Sequence, residues 1–309
     1  MQLNLAELAY YGLYFARARL LGRRQPLVGG INITSYCNLE CAHCPYVKDV
    51  VPREHLKRSQ LEVMMATFQR QGIRVLFLQG GEPTLWHDGD YRFNDLVRDA
   101  KRRFSRVACV TNAILPIDNP CDLVWISVDG SPTVHDRVRG AGSYARMAQS
   151  VAESTNPNMY ANLTLSKLNV DDLEPCVEHI VREMPRLKAV SVNFQIPYPG
   201  VEEHSLSYEE RARAVERIIA LRRQGYPILN SPASLRLMLK PGWNTTHWLI
   251  SLAHPNGLVV EGCGARHVNP QICENCGYGV MAEVQAIFEQ IVDPAIRGSL
   301  QQAGRVYEI

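Results

Sequence analysis

The sequence has no uninterrupted apolar run of the roughly 20 residues that a membrane-spanning helix requires. Its apolar N-terminal stretch, residues 3–21, is broken by Glu7, Arg17 and Arg19. A cleavable signal peptide is not expected either, because Arg23 and Arg24 follow that stretch rather than precede it. Charge of one sign is also lacking: 33 Lys+Arg stand against 31 Asp+Glu, a formal +2. Nucleic-acid binding usually asks for a concentrated basic face, so no nucleic-acid partner is expected. The sequence shows neither an internal repeat, nor a low-complexity tract, nor the composition of a disordered or collagen-like chain. What is left is a globular chain of 309 residues, 46% hydrophobic, long enough for one large α/β domain or for one domain with a small appendage.

Cysteine, by contrast, is plentiful. Six of the nine fall into two tight groups, Cys37/Cys41/Cys44 and Cys263/Cys273/Cys276. Groups of three do not pair off as disulfides, so metal ligation in a reducing, cytoplasmic setting is the expected use. Cys109, Cys121 and Cys176 stand alone and read as small buried packing residues. Of these, Cys121, in a loop after Pro120, is expected to be the most accessible.

Apolar, β-branched runs at Gly30–Thr34, Arg74–Gln79, Val107–Thr111, Leu123–Val128, Tyr160–Ser166 and Ala189–Gln195 predict six strands. Helical periodicity between and after them marks Arg58–Gln71, Tyr91–Phe104, Ser143–Ser154, Val170–Glu183 and Ser207–Gln224, the last opened by a Ser207/Glu210 capping box. Strands that alternate with helices imply parallel pairing with helices outside. Six units are too few for a full eight-fold barrel, so the expected fold is α/β, a partial (βα)6 TIM-like barrel with a small cysteine-rich C-terminal extension. Ligands should then sit on the loops at the C-terminal ends of the strands. The expected organisation is an N-terminal amphipathic helix over 1–28, the barrel over 29–227 and the extension over 228–309, with a helix near Val280–Ile291. The first helix is expected to pack on the barrel. The competing reading lays it in a membrane interface, with Tyr10, Tyr11, Tyr14 and Phe15 inserted.

The first cysteine group, Cys37-x3-Cys41-x2-Cys44, follows the first strand directly. Three thiolates in one loop can hold three irons of a cubane and leave the fourth iron open. A zinc site would need a fourth ligand such as His43, which is squeezed between ligand positions. A redox CxxC would use only Cys41 and Cys44.

Further stretches accompany this group. Gly80-Gly81-Glu82-Pro83 ends the second strand, Thr111-Asn112 the third and Ile126-Ser127-Val128-Asp129-Gly130 the fourth, with His135-Asp136 and Arg139-Gly140 beyond. Together they resemble the radical S-adenosylmethionine (SAM) superfamily over about residues 30–196. The resemblance implies a SAM-binding [4Fe–4S] cluster on Cys37, Cys41 and Cys44, with an external one-electron donor such as flavodoxin or ferredoxin. Reductive cleavage of SAM there gives a 5′-deoxyadenosyl radical that abstracts hydrogen or adds to a double bond. It also implies His43 near the adenine, Gly80, Gly81 and Glu82 at the methionine end, Asn112, Ser127 and Asp129 as ribose or carboxylate contacts, and Arg139 on the SAM carboxylate. The plain structural alternatives are a buried strand residue for Ser127, a turn residue for Asp129 and a surface ion pair for Arg139.

The second group, Cys263-x9-Cys273-x2-Cys276, follows a turn at Pro255–Gly257. It resembles the twitch or SPASM extensions of radical SAM enzymes, which implies an auxiliary [4Fe–4S] cluster and so two clusters in all. Residues 269–278 and the N-terminal Leu21-Gly-Arg-Arg24 step are also similar to radical enzymes that adenosylate hopanoid lipids. The twitch pattern has a further cysteine upstream, where Gly242–Trp248 here has none. The fourth iron is therefore open, or held by a ligand such as His247 or His267. A zinc knuckle of Cys263, His267, Cys273 and Cys276 is the structural alternative, and Cys263 as hydrogen-atom donor, as in radical epimerases, is another. Trp86, His87, Tyr198 and Glu202 lie just beyond strand ends, where a substrate pocket is expected. The leading expectation for the substrate is a small-molecule or lipid-like metabolite. In the lipid-like case, residues 3–21 contact the inner membrane face. The alternative is maturation of a ribosomally made peptide.

Overall fold

Short runs of Val, Ile, Leu and Phe make six parallel strands, one almost wholly buried (Leu187–Phe194) and others alternating buried with half-buried residues (Val75–Gly80, Met159–Leu165). The computed structural model describes residues 5–45, 53–254, 258–263, 266 and 269–290. The strands are β1 (Val28–Thr34), β2 (Val75–Gly80), a small hairpin of β3 (His87–Asp88) and β4 (Tyr91–Arg92), β5 (Arg106–Thr111), β6 (Leu123–Ser127), β7 (Met159–Leu165), β8 (Leu187–Phe194), β9 (Ile250–Ala253) and β10 (Val259–Glu261). The main sheet runs β10-β9-β1-β2-β5-β6-β7-β8. Each neighbouring pair from β9 to β8 is parallel, and only β10 is antiparallel, on β9. The expected six-unit partial barrel is present. Beside β1, Ile250–Ala253 and Val259–Glu261 add two further strands to the same sheet.

Helices α1 (Leu5–Leu20), α2 (Arg58–Gln71), α3 (Phe93–Lys101), α4 (Pro132–Arg139), α5 (Ser143–Glu153), α6 (Leu173–Glu183), α7 (Tyr208–Arg223), α8 (Pro232–Leu237) and α9 (Gly279–Gln290) complete the fold. Leu61, Met64, Met65 and Phe68 bury the inner face of α2, and Gly72, with φ +82°, ends it in a left-handed cap. The Ser207/Glu210 capping box opens α7 as the sequence indicates: Ser207 Oγ accepts from the Glu210 amide at 3.2 Å and Glu210 Oε2 from the Ser207 amide at 2.7 Å. The predicted helix from Tyr91 begins two residues later, because Tyr91 and Arg92 pair with the β3 strand instead. The turn expected at Pro255–Gly257 and Ile291 of the last predicted helix lie outside the described residues.

The aromatic face of α1 is turned to the protein. Tyr10, Tyr11, Tyr14 and Phe15 pack on the main core, Arg74 sits 4.6 Å over the Tyr10 ring, and Glu7 pairs with Arg106 at 2.7 Å. The Tyr14 hydroxyl donates to the Gln25 carbonyl. The four rings that an interfacial helix would insert into lipid are thus already taken up by the domain. Among the described residues no helix is long and apolar enough to cross a membrane.

The single cysteines Cys109, Cys121 and Cys176 are all buried. The accessibility expected of Cys121 is not found: the residue is 5% exposed and its thiol faces that of Cys109, with Asn119 Oδ1 accepting from the Cys121 amide. The cause is the 119–121 loop, which folds back over β5.

Candidate active site

The first cysteine loop is built against the end of β2. The Gly81 amide donates to the Thr34 carbonyl and the Glu82 amide to the Tyr36 carbonyl, both at 2.8 Å. A Cβ on Gly80, which has φ +139°, would lie 2.1 Å from Thr34 O, and one on Gly81 2.2 Å from Tyr36 O. These two glycines are needed because the backbone entering the cysteine loop passes directly over them. The Glu82 carboxylate then ties β2 to β5. It accepts from the Thr84 hydroxyl at 2.6 Å, the Thr84 amide at 3.2 Å, the Thr111 hydroxyl at 2.7 Å and the Asn112 amide at 2.7 Å. Burial raises its pKa while those donors pull the other way. Glu82 is 1% exposed, so its carboxylate acts as a strut between strand ends.

Two of the three thiols receive N–H groups. Asn112 Nδ2 lies 3.7 Å from Cys37 Sγ and 2.7 Å from Asn38 Oδ1. Arg139 Nη1 lies 3.9 Å from Cys41 Sγ, and its Nε donates to Asp129 Oδ2 at 2.6 Å. Burial pushes the Cys41 thiol up to about 12, with Arg139 opposing. Asp129, fully buried, would also be raised by burial, but Arg139, His43 and His135 outweigh that and its carboxyl sits below the usual range. His43 Nε2 stands 3.5 Å from Asp129 Oδ2, and the His43 carbonyl accepts from Gln195 Nε2 at 3.2 Å. The surface-ion-pair alternative for Arg139 does not hold, whereas Asp129 does lie just before the bend at Gly130. Arg139 is 8% exposed and forms a buried ion pair with Asp129, which anchors it from that position. Ser127 is buried at the end of β6, in register with Asn162. His135 and Asp136 have structural tasks: His135 Nδ1 accepts from the Asp129 amide, and the Asp136 carboxylate accepts from the Gly142 and Tyr144 amides at the start of α5.

Thiols alone suit iron–sulfur chemistry better than hard cations, and N–H groups directed at sulfur offset the charge that thiolates carry. The residues at this site therefore fit a cubane with three cysteine ligands. Among the described residues no three His, Cys, Asp or Glu side chains converge as a single-ion cage would need; a cubane instead spreads its thiolates, one per iron. The sequence reading did not single out Gln195 and Asn38. The signal for Gln195 was a polar residue at the end of an apolar strand.

The second group forms a pocket of its own. Cys263, Cys273 and Cys276 line one cavity together with Ile196, Asn244, His247, Arg266 and Ile272. Gly262, at φ +101°, turns the chain out of β10 into Cys263. The turn carrying Cys273 and Cys276 is clamped through its carbonyls. Arg211, buried in α7, donates to the carbonyls of Met238 and Cys276 at 3.3 Å and of Asn275 at 3.1 Å, and Trp243 Nε1 donates to the Cys276 carbonyl at 2.9 Å. Among the described residues Arg211 has no carboxylate partner although it is 1% exposed. A buried cation so placed is costly unless negative charge lies nearby, which a thiolate-bound cluster would bring. Burial pushes the Cys276 thiol up to about 11, and the Asn244 amide nitrogen is 3.9 Å from its sulfur while Asn244 Oδ1 is buried without a partner. His267 lies outside the described residues. Arg211 and Trp243 gave no sequence signal, being single residues on an ordinary helix and loop.

Beside this pocket, Pro197, Pro199 and Glu202 of the loop after β8 face Asn269, Gln271, Ile272 and Asn275 across an open cleft. Glu202 is thus where a pocket was expected. Trp86 is not: it is 1% exposed, with Nε1 donating to the Leu56 carbonyl at 2.7 Å, a core residue. His87 is exposed on the hairpin, 5.1 Å ring to ring from His55.

Comparison with known proteins agrees with this geometry. Residues 31–180 match the Radical SAM superfamily. The sporulation killing factor maturation protein SkfB of Bacillus subtilis is 27% identical over 165 residues, which is 50% of this chain and 39% of SkfB. The "Probable GTP 3',8-cyclase" of Methanopyrus kandleri is 25% identical over 182 residues, 59% of this chain and 52% of that protein. The match thus spans about half or less of the length of these relatives. The structure of Streptococcus suis SuiB bound to its precursor peptide SuiA superposes with a TM-score of 0.62 at 13% identity, covering 93% of this chain and 71% of SuiB, a likeness of fold. The superfamily implies SAM and a [4Fe–4S] cluster, and the matched segment contains the cysteine loop, the Gly-Gly-Glu-Pro strand end and the Asp129–Arg139 pair. By its domain and its fold, this chain belongs to the radical SAM superfamily of enzymes.

Proposed function

We propose that the chain cleaves SAM reductively at the Cys37/Cys41/Cys44 site and uses the outcome to modify a peptide precursor, with an auxiliary cluster at Cys263/Cys273/Cys276. When bound, the first cluster would supply the electron and the open iron that sulfonium cleavage needs. The observation that carries this reading is the meeting of Asn112 and Arg139 with two of the three thiols, above a fully buried carboxylate. Asn112 and Arg139 hold the sulfurs of Cys37 and Cys41, Asp129 holds Arg139, and Gly80 and Gly81 let the loop approach. His43, beside Asp129 and fixed through its carbonyl by Gln195, is suited to flank the adenine. Ser127 lies on the same strand-end face and is assigned to the ribose side.

A peptide substrate is supported by the maturation role in the name of SkfB and by the cleft beside the second cysteine group. There, Asn269, Gln271 and Asn275 line the cleft together with Pro197, Pro199 and Ile272, a mixture that suits an extended backbone with apolar side chains. The small-molecule reading keeps one support, the nucleotide substrate in the name of the cyclase. The lipid-like version loses the aromatic face of α1, which packs inward.

The test is anaerobic reconstitution followed by SAM and dithionite. Production of 5′-deoxyadenosine is expected, and its persistence after Cys37→Ala, Cys41→Ala and Cys44→Ala together would refute the site. Substrate class is read by co-expressing candidate short precursor peptides and searching them by mass spectrometry for loss of hydrogens. Deuterium reaching 5′-deoxyadenosine from a metabolite pool, and from no peptide, would favour the small-molecule reading.

A further inference from the structure

Three thiols can occupy three corners of a cubane, and the second pocket offers more than thiols. His247 enters it from the 247–249 turn just before β9, on the same wall as Cys263, Cys273 and Cys276. Its Nε2 is 2.6 Å from Arg266 Nη1, and the ring also hydrogen-bonds to the backbone of Asn244. An Arg N–H can only donate, so Nε2 carries the lone pair, here directed at the Arg266 guanidinium that lines the same pocket. A backbone partner on an imidazole is the usual arrangement around a metal-bound histidine, where it fixes the tautomer and the ring plane. Arg266 places a positive group against that lone pair, in the same pocket lining as Cys273. The guanidinium occupies the electrostatic position that a metal would take, and it sits on an exposed side chain.

Given the auxiliary cluster proposed above, on which this inference rests, we propose that His247 is its fourth protein ligand, through Nε2. The cluster is then capped by protein on every corner. Its task becomes electron relay rather than substrate binding, and the cleft at Pro197–Glu202 is left as the place for substrate.

The experiment uses the full-length chain carrying Cys37→Ala, Cys41→Ala and Cys44→Ala, which leaves only the second site. After reconstitution this protein should hold about four irons. Its reduced cluster should show an imidazole nitrogen in pulsed electron paramagnetic resonance. His247→Gly should erase that coupling, and added imidazole should restore it. His247→Cys should lower the midpoint potential, because a thiolate adds negative charge where neutral imidazole raises the potential. A nitrogen signal unchanged in His247→Gly, or absent while four irons are present, overturns the ligand assignment and leaves the cluster standing. Absence of iron from the triple-cysteine background overturns the cluster itself, and the ligand with it.

Discussion

Arg139 binds Asp129 through Nε at 2.6 Å and reaches Cys41 Sγ with Nη1 at 3.9 Å, so one buried cation serves both a carboxylate and a thiol. The two residues belong to one short stretch that leaves β6 and forms α4. The pair fixes where that stretch lies relative to the cysteine loop, a link reinforced by the Ala42 amide on the Val138 carbonyl at 2.9 Å.

Arg139→Leu should destabilise the chain by about 3–5 kcal/mol, because it leaves the Asp129 carboxylate buried without its cation. Adding Asp129→Asn should recover part of that loss. Urea denaturation of the two variants and the parent checks this; equal stability of single and double variants would contradict the pairing.

Gly81→Ala drives a Cβ to within 2.2 Å of the Tyr36 carbonyl. Overpacking of this kind costs about 1–3 kcal/mol, and relief must come from the cysteine loop itself. Iron content after reconstitution should therefore fall together with the melting temperature. Gly12→Ala is the control, since nothing lies within 4 Å of the added methyl, and it should load iron normally.

Glu82→Gln keeps the size of the side chain and turns an amide donor toward the hydroxyl and amide groups of Thr84, Thr111 and Asn112. The unmet donors should cost about 1–3 kcal/mol. Hydrogen exchange should rise at the ends of β2 and β5 before it rises elsewhere.

The acid limb of stability should carry a contribution from His135. Burial first, and Arg139 after it, lower its pKa from 6.5 to about 4. The folded chain then binds fewer protons than the unfolded chain between those values, so stability falls as pH drops through that window, by up to roughly 3 kcal/mol. His135→Gln keeps an acceptor for the Asp129 amide and does not titrate. Its stability should decline less steeply than the parent's from pH 6.5 to 4, and parallel curves would exclude the assignment.

Much of this arrangement was legible in the residues because each local signal agreed with its surroundings. All six predicted strands were located to within a residue or two at each end, and so was α7, because apolar runs bounded by turn residues have few other uses in a parallel sheet. The Gly-Gly-Glu-Pro and His-Asp-x-x-Arg-Gly stretches were visible as motifs, but their physical tasks were not. That Gly81 lies under the Tyr36 carbonyl and that Glu82 bonds to Thr111 are contacts between segments distant in sequence. β9 escaped notice for a related reason. A four-residue strand flanked by Trp248 and His254 carries too little pattern to be told from a loop, and only its place beside β1 makes it one. The direction of the α1 aromatics was likewise open, since a helix with rings on one side serves a protein surface as well as a lipid one.

One consequence follows from the way the last third of the chain is stitched in. Ile250–Ala253 lies along the outer side of β1. At the opposite margin Ile228 bridges to Val190, Asn230 exchanges two hydrogen bonds with Val192, and Gly277 accepts from the Phe194 amide. These segments act as selvedges that stop the weave from continuing into a neighbouring molecule. A fragment cut at residue 227 would keep all three cysteines of the first loop yet bare both borders, so self-association would be the first failure of such a truncated protein.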